Sequence, residues 1–437
     1  MSTWHDLVTA SLIGTERAVV PAVAIPGLPA AEDDTGDPAA VLLDRAALLT
    51  AARRAGRRPD RAEPVPVCEP DPRPAVSQAA AIRLAGMLDG EHPDLLTEWL
   101  TAVAARGLQP PPQSLPALLD RARRAGPKAA VLRHLVAEAG GPRARWLAGL
   151  NPEWESVAAP ALAGPDAWRL GDTGQRRGYL ASLLASDPDA ARELIAGSWG
   201  AAGIADRVMF LSVLADRLDP ADAPLLEGAL DDRPDVGVRD WASYLLARLP
   251  GSALGHRMAE RALRCVRMEH GARGPHLVVT PPTECDASMR HDGIVPGPAT
   301  GRSQFSYRAH LMCQVVARTP LRTWTDEFGL TAVQMVALGS GDWAPVLFTG
   351  WTRAAIAQRD HDWMAALISQ ALTGRLPGTA TEAEALGLLA RRADPALGAP
   401  DTLPEPGPDA RTLIHAAHDL LRFRYDMLKE LDDDHSG

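Results

Sequence analysis

Residues 231–249 read DDRPDVGVRDWASYLLARL. Val238, Ala242, Leu245 and Leu249 recur there at helical spacing, so the second half is a helix with one buried stripe. A shorter apolar helix, 223–230, precedes it across a tight Asp/Pro turn. One such pair cannot bury both stripes and needs a neighbouring pair on each side, which is the logic of a helical solenoid.

Displaced by 32 positions, the chain matches itself. Asp187-Pro188 falls on Asp219-Pro220, Arg207 on Arg239, and Val213-Leu214-Ala215 on Leu245-Leu246-Ala247. Asp caps the free N–H groups of a first turn, and Pro at the first helical position gives up a hydrogen bond that no helix makes there. Segments 187–218 and 219–250 therefore each read as cap, helix, turn, helix, a period within the helical-repeat range. The alternative is two ordinary hairpins in an irregular bundle.

Asp232, then Val238-Arg239, Ala242, Leu245 and Leu249, resemble the second helix of a HEAT repeat. The resemblance implies that an Asp in the turn and an Arg in the helix tie adjacent repeats together, although the Asp232-to-Arg239 gap is slightly longer than the family's. Residues 3–17, TWHDLVTASLIGTER, carry a second resemblance. Trp4, Leu7, Val8 and Leu12 share a helical face, and Gly14 suits a C-terminal stop. The plain reading is a docking helix; the sharper one makes Thr15, Glu16 and Arg17 a contact surface. W-x-x-L-V-x-x-S-L-x-G-T-x-R resembles the start of an uncharacterised bacterial family of helical-repeat proteins. Its members are often encoded beside a SWIM zinc-finger protein, a MoxR-type AAA ATPase and a von Willebrand factor A protein. The resemblance runs on through PPTECD (281–286), HDGI (291–294) and the later Trp-rich helices. It implies an interaction role near that ATPase system and supplies no catalytic residues.

At 437 residues the chain can hold two or three compact domains or one long array. Its 46% hydrophobic content excludes a disordered protein. Only Lys128 and Lys429 stand against 43 arginines, and abundant Ala, Gly and Pro point to a GC-rich coding sequence, so the arginines are poor evidence for nucleic acid. Residues 1–150 carry 17 basic and 17 acidic residues, which leaves 28 and 38 for 151–437 and all of the net charge of −10 there. An acidic array repels phosphate backbones unless one face is locally basic. Cys68, Cys265, Cys285 and Cys313 form no C-x-x-C pair, the N-terminal stretch has no basic signal region, and the uncharged run 18–31 is too short to cross a bilayer. These features predict a cytoplasmic protein with free thiols and no membrane contact.

The chain segments as an N-terminal helical region (1–140), a Trp/Pro/Gly-rich connector (141–173) after Gly140-Gly141-Pro142, HEAT-like repeats (174–270), an irregular loop (271–302) and a C-terminal helical region (303–437). In the loop, Leu277–Val279 and Ile294–Val295 are candidate short strands. Loops this long inside compact arrays often carry function. Helix 39–54 ends in Arg53, Arg54, Arg57, Arg58 and Arg61. They offset the helix dipole on one reading and form an acidic-partner or phosphate patch on the other. Asp342-Trp343 and Asp362-Trp363 suit a cap plus an aromatic wedge.

Three chemistries are weighed against plain binding. Cys265, His270, His276, Cys285 and His291 lie within 27 residues, with His310 and Cys313 beyond, but their spacing fits no standard zinc finger. Glu284, Asp286, His291 and Asp292 could tune one another for acid–base work, although loop carboxylates more often serve turns. Some HEAT-like solenoids are DNA glycosylases, and the Trp residues offer stacking surface; net acidity and the spread of Trp among helices favour core use. No phosphate loop, dinucleotide fingerprint, G-x-S-x-G elbow or H-E-x-x-H occurs. The expectation is an all-α, HEAT-like α-solenoid of antiparallel helix pairs, with one long irregular loop holding a short β-hairpin. Its expected role is a non-catalytic scaffold or adaptor for protein partners, possible AAA ATPase assemblies among them, with no cofactor. Its candidate binding residues are Arg17, Arg53, Arg54, Arg57, Arg58, Glu284, Asp286, Arg290, His291 and Asp292.

Overall fold

The computed structural model describes residues 2–23, 36–55, 65–124, 129–154, 164–171, 173–231, 236–249, 251–272, 274–297, 304–339, 341–373, 380–406 and 412–432. Arg57, Arg58, Arg61 and Asp232 lie outside them. The chain divides into two compact units, Met1–Val67 and Cys68–Gly437.

In the first unit, α1 (Ser2–Ile13) packs on α2 (Pro38–Ala55). The seam is small: Leu7, Ala10 and Leu42 are buried. The other apolar residues of the predicted α1 face are not, and Leu12 is 82% exposed. Gly14 stops α1 at φ 95°, as its position predicts. Arg45 donates to the carbonyls of Val20 (2.8 Å) and Pro21 (3.0 Å), fixing the segment that leaves α1.

The second unit is mostly helical with one small sheet. Helices α3 (Gln78–Asp89), α4 (Leu96–Ala105), α5 (Leu115–Arg124) and α6 (Ala129–Leu150) open it. Gly140-Gly141-Pro142 kinks α6 at Gly141 (φ 55°, ψ −144°), and the helix resumes beyond, because Pro is tolerated in a new first turn. Helices α7 (Pro165–Leu170) and α8 (Thr173–Ser186) lead to the predicted repeats. Buried residues on both sides of the 141–173 stretch belong to one continuous cluster, from Val76 to Leu431.

Both Asp-Pro caps form. Asp187 Oδ1 accepts from the Ala190 N–H (3.0 Å) at the start of α9 (Pro188–Trp199). Asp219 Oδ1 accepts from the Ala221 N–H (2.8 Å) in a 3-10 turn that leads into α11 (Ala223–Leu230). The second helices, α10 (Ile204–Asp216) and α12 (Val236–Ala247), pack together. Arg248, just past α12, donates to the Ala215 carbonyl near the end of α10 (3.0 Å), so their C-terminal ends lie side by side. Arg192 of α9 reaches Asp222 at the start of the next hairpin (2.6 Å) and ties the two hairpins. Ser252 caps α13 (Ala253–Cys265) through the Gly255 N–H (3.0 Å).

The irregular segment differs from its expected form. The strands are β1 (Val266–Gly271) and β2 (Gly274–Val279), antiparallel with Val266 opposite Val279. Ile294 is buried outside any strand. After the one-turn helix α14 (Ala287–His291) come α15 (Gln304–Arg318), α16 (Arg322–Phe328), α17 (Ala332–Leu338), α18 (Ala344–Gln358), α19 (His361–Leu372), α20 (Ala380–Arg392) and α21 (Thr412–Asp432). Asp360, not Asp362, caps α19, through the Trp363 N–H (3.0 Å). Trp363 packs against Trp351 at 5.5 Å, the wedge that its spacing predicts.

An open array keeps its first and last hairpins apart. Here α21 docks on α3 and α4. Arg83 pairs with Glu430 (2.6 Å), Arg106 with Asp432 (2.6 Å) and Arg424 with Glu98 (2.7 Å). The last described helix of this unit thus closes on its first two.

Candidate binding cleft

Within residues 284–295, Cys285, Met289, Asp292 and Ile294 are buried. Asp286 Oδ1 accepts from the Met289 N–H (2.8 Å) and caps α14, and Ser288 Oγ donates to the same oxygen (2.8 Å). These bonds hold the Asp286 carboxyl below the usual carboxylate range. Asp292 is 1% exposed. Its carboxylate accepts from Arg257 (2.7 Å) and Arg261 (2.5 Å), which stand four residues apart on one face of α13. Burial pushes the Asp292 pKa up, but the hydrogen bonds and charges of the two guanidiniums outweigh it, and the net shift is downward. Such a group stays ionised near neutrality and is unsuited to proton exchange there.

The next residues are pinned through the backbone. Gly293 takes φ 79°, and a Cβ there would meet Ser243 Cβ at 2.6 Å, so only glycine fits. Ser243 Oγ donates to the Asp292 carbonyl (2.7 Å) and accepts from Arg318 Nε (2.8 Å). Val295 donates its N–H to Gln314 Oε1 (3.0 Å), and its carbonyl accepts from Gln314 Nε2 (2.8 Å). His291 sits between Asp231 (3.0 Å) and Asp292 (3.3 Å). Arg290 donates to the Cys285 carbonyl (2.6 Å). Glu284 is exposed and stays outside this network.

This pinned loop forms part of the wall of a half-open cavity of about 1050 Å³. Val295 faces it, with Asp240, Trp241 and Tyr244 of α12 and His310, Gln314 and Arg318 of α15. Arg353 and Ile356 of α18, Arg359 and His361 at the α18–α19 junction, and Leu388 and Arg392 of α20 complete the far side. Trp241 and Tyr244 stack at 5.3 Å with planes 2° apart. Four of the five cleft arginines mark helix C-termini: Arg248 follows α12, Arg318 ends α15, Arg359 caps α18 and Arg392 ends α20. Cations there offset the negative end of the helix dipole.

The charges are unevenly answered. Arg318 is held by Asp240 and by the Gly293 carbonyl (3.2 Å). Burial pushes its pKa down and Asp240 pulls it up, while the like charge of Arg353 adds to the lowering. Burial also pushes Arg248 down, and Arg359 adds its like charge. Arg318 and Arg248 both remain protonated. Among the described residues, Arg353, Arg359 and Arg392 have no acidic partner.

The remaining sequence-predicted residues lie elsewhere. Arg17 lines a small cavity of about 390 Å³ in the first unit, with Glu16 and Arg45. Arg53 stacks its guanidinium 5.6 Å over Trp4, and Arg54 shares the last turn of α2. The zinc reading fails on geometry: among the described residues no three His, Cys, Asp or Glu side chains converge as a metal site. Sequence reasoning missed the cleft arginines. Their signal is an arginine just before a helix break, as in ARLPG (247–251), ARTP (317–320) and RRADP (391–395).

A family model matches residues 6–417, and the chain belongs to that family, DUF5691, a family of unknown function. No curated protein and no solved structure matches it.

Proposed function

We propose that this member of the DUF5691 family is a non-catalytic protein–protein interaction scaffold. The helix hairpins act as HEAT-like units whose second helices deliver their C-terminal ends to one cleft, and the partner is held there. A MoxR-type AAA ATPase assembly is the partner that the opening motif points to, and the cytoplasm is where the two would meet. The observation that carries the reading is the cleft itself: a half-open space of about 1050 Å³ with three arginines that have no acidic partner among the described residues, in a chain of net charge −10. Concave repeat surfaces bind partners without any catalytic constellation. The loop carboxylates support this reading too, since Asp292 serves Arg257 and Arg261 and Asp286 serves a helix cap. Among the described residues no helix is long and apolar enough to cross a membrane.

Cross-linking of the tagged chain in its native cells, followed by mass spectrometry, tests the proposal. AAA ATPase subunits enriched over a tag-only control are the expected result. A wild-type chain that enriches no protein sinks it.

A further inference from the structure

We infer that the cleft receives an extended acidic peptide segment of a partner protein, its carboxylates on Arg353, Arg359 and Arg392 and an apolar side chain against Tyr244 and Ile356. The inference rests on the scaffold reading and names the chemistry of the partner.

Charge is the first argument. Five arginines elsewhere, Arg83, Arg192, Arg257, Arg261 and Arg424, each pair with a carboxylate of this chain. In the cleft the two lining carboxylates are already engaged, Asp240 by Arg318 and Asp216 by Arg177 (3.2 Å). Arg353 and Arg359 instead face like charge from Arg318 and Arg248. An arriving anion relieves that repulsion.

Geometry selects the kind of anion. Phosphate sites are built from helix N-termini and backbone N–H groups. This cleft gathers helix C-termini and so lacks that N–H cradle. The N-terminus at its rim, that of α19, is already filled by the Asp360 carboxylate. What remains is the planar guanidinium fork, which matches a carboxylate in two parallel hydrogen bonds. Arg353 in α18 and Arg359 at its C-cap stand six residues apart, about 9 Å along the axis at the helical rise. Side chains two or three residues apart on an extended strand span about 7 to 10 Å. The cavity lies at the upper end of the usual small-ligand range of roughly 300–1,000 Å³ and is half open, which suits a passing segment better than a single small acid.

The test is fluorescence anisotropy on the full chain with a labelled peptide of glutamates interspersed with leucine. Its glutamine counterpart, ATP and inorganic phosphate serve as the other arms. The glutamate peptide is expected to bind, to weaken as sodium chloride is raised, and to lose at least about tenfold in affinity in the Arg353→Glu/Arg359→Glu double variant. Arg169→Glu, outside the cleft lining, is expected to bind as the wild type does. Both arginines of the double variant are exposed, and a circular dichroism melt matching the wild type shows that the fold is kept. Arg353→Gln/Arg359→Gln gives an intermediate loss if charge is the determinant. Peptide affinity unchanged in the double variant overturns the inference, and so does ATP or phosphate binding where the peptide does not, or no binding in any arm. Native-cell partners retained in full by the double variant sink this inference and leave the scaffold standing. A wild-type chain with no partner sinks the scaffold whatever the peptide does.

Discussion

Asp292 shows how a single carboxylate sets the wall of the cleft. Its side chain is held by two arginines of α13, its carbonyl by Ser243, and the next two residues are locked against α12 and α15. Replacing it by Asn leaves Arg257 and Arg261 facing a neutral amide. The expected loss is about 2 to 4 kcal/mol, below the full cost of breaking a deeply buried pair because Arg257 reaches water. Urea denaturation at pH 7 measures it. The pH dependence follows from the sign of the shift. A folded-state pKa below the unfolded value means that the contribution is complete above about pH 4 and fades as pH falls through the folded value. The stability gap between wild type and Asp292→Asn is therefore expected to narrow below about pH 4. A gap that stays constant down to acid unfolding contradicts this account.

Helix α18 approaches α15 closely. A Cβ on Gly350 would meet Val316 Cβ and Cγ1 of α15 at 2.6 Å. Val316 is β-branched, fully buried and unable to swing aside. Gly350→Ala is expected to cost about 1 to 3 kcal/mol through overpacking, read from the shift in thermal midpoint. Much at this scale was legible from spacing. Val238, Ala242, Leu245 and Leu249 are all buried, and Asp187 and Asp219 both cap. Those signals are local: a period or a cap is written within a few residues. Strand β1 was not legible, because Val266 continues the period of Leu254, Met258 and Ala262. Only pairing with β2 reveals the change. The Asp292 pin had a readable half, Arg257 and Arg261 on one face of a helix, but nothing in sequence says which carboxylate fills it. The cleft arginines come from four helices spread over 145 residues, from Arg248 to Arg392, and only tertiary packing brings them together.

At the scale of the second unit, closure is a matter of a few ion pairs. Arg424 is 5% exposed, pairs with Glu98 of α4, and donates to the carbonyls of Ala390 and Ala393 (2.8 Å each). Arg424→Ala thus strips three groups on two other segments at once. It is expected to cost about 3 kcal/mol and to speed amide exchange in residues 78–105, more than 300 positions away in sequence. Hydrogen exchange confined to α21 itself speaks against such coupling. The same clasp bears on the birth of the protein. Ribosomes deliver α21 more than 300 residues after α3 and α4, so at 5–20 residues per second those helices wait roughly 15 to 65 s for their lid. During synthesis they show an oily flank to solvent, and holdase chaperones are its natural temporary cover.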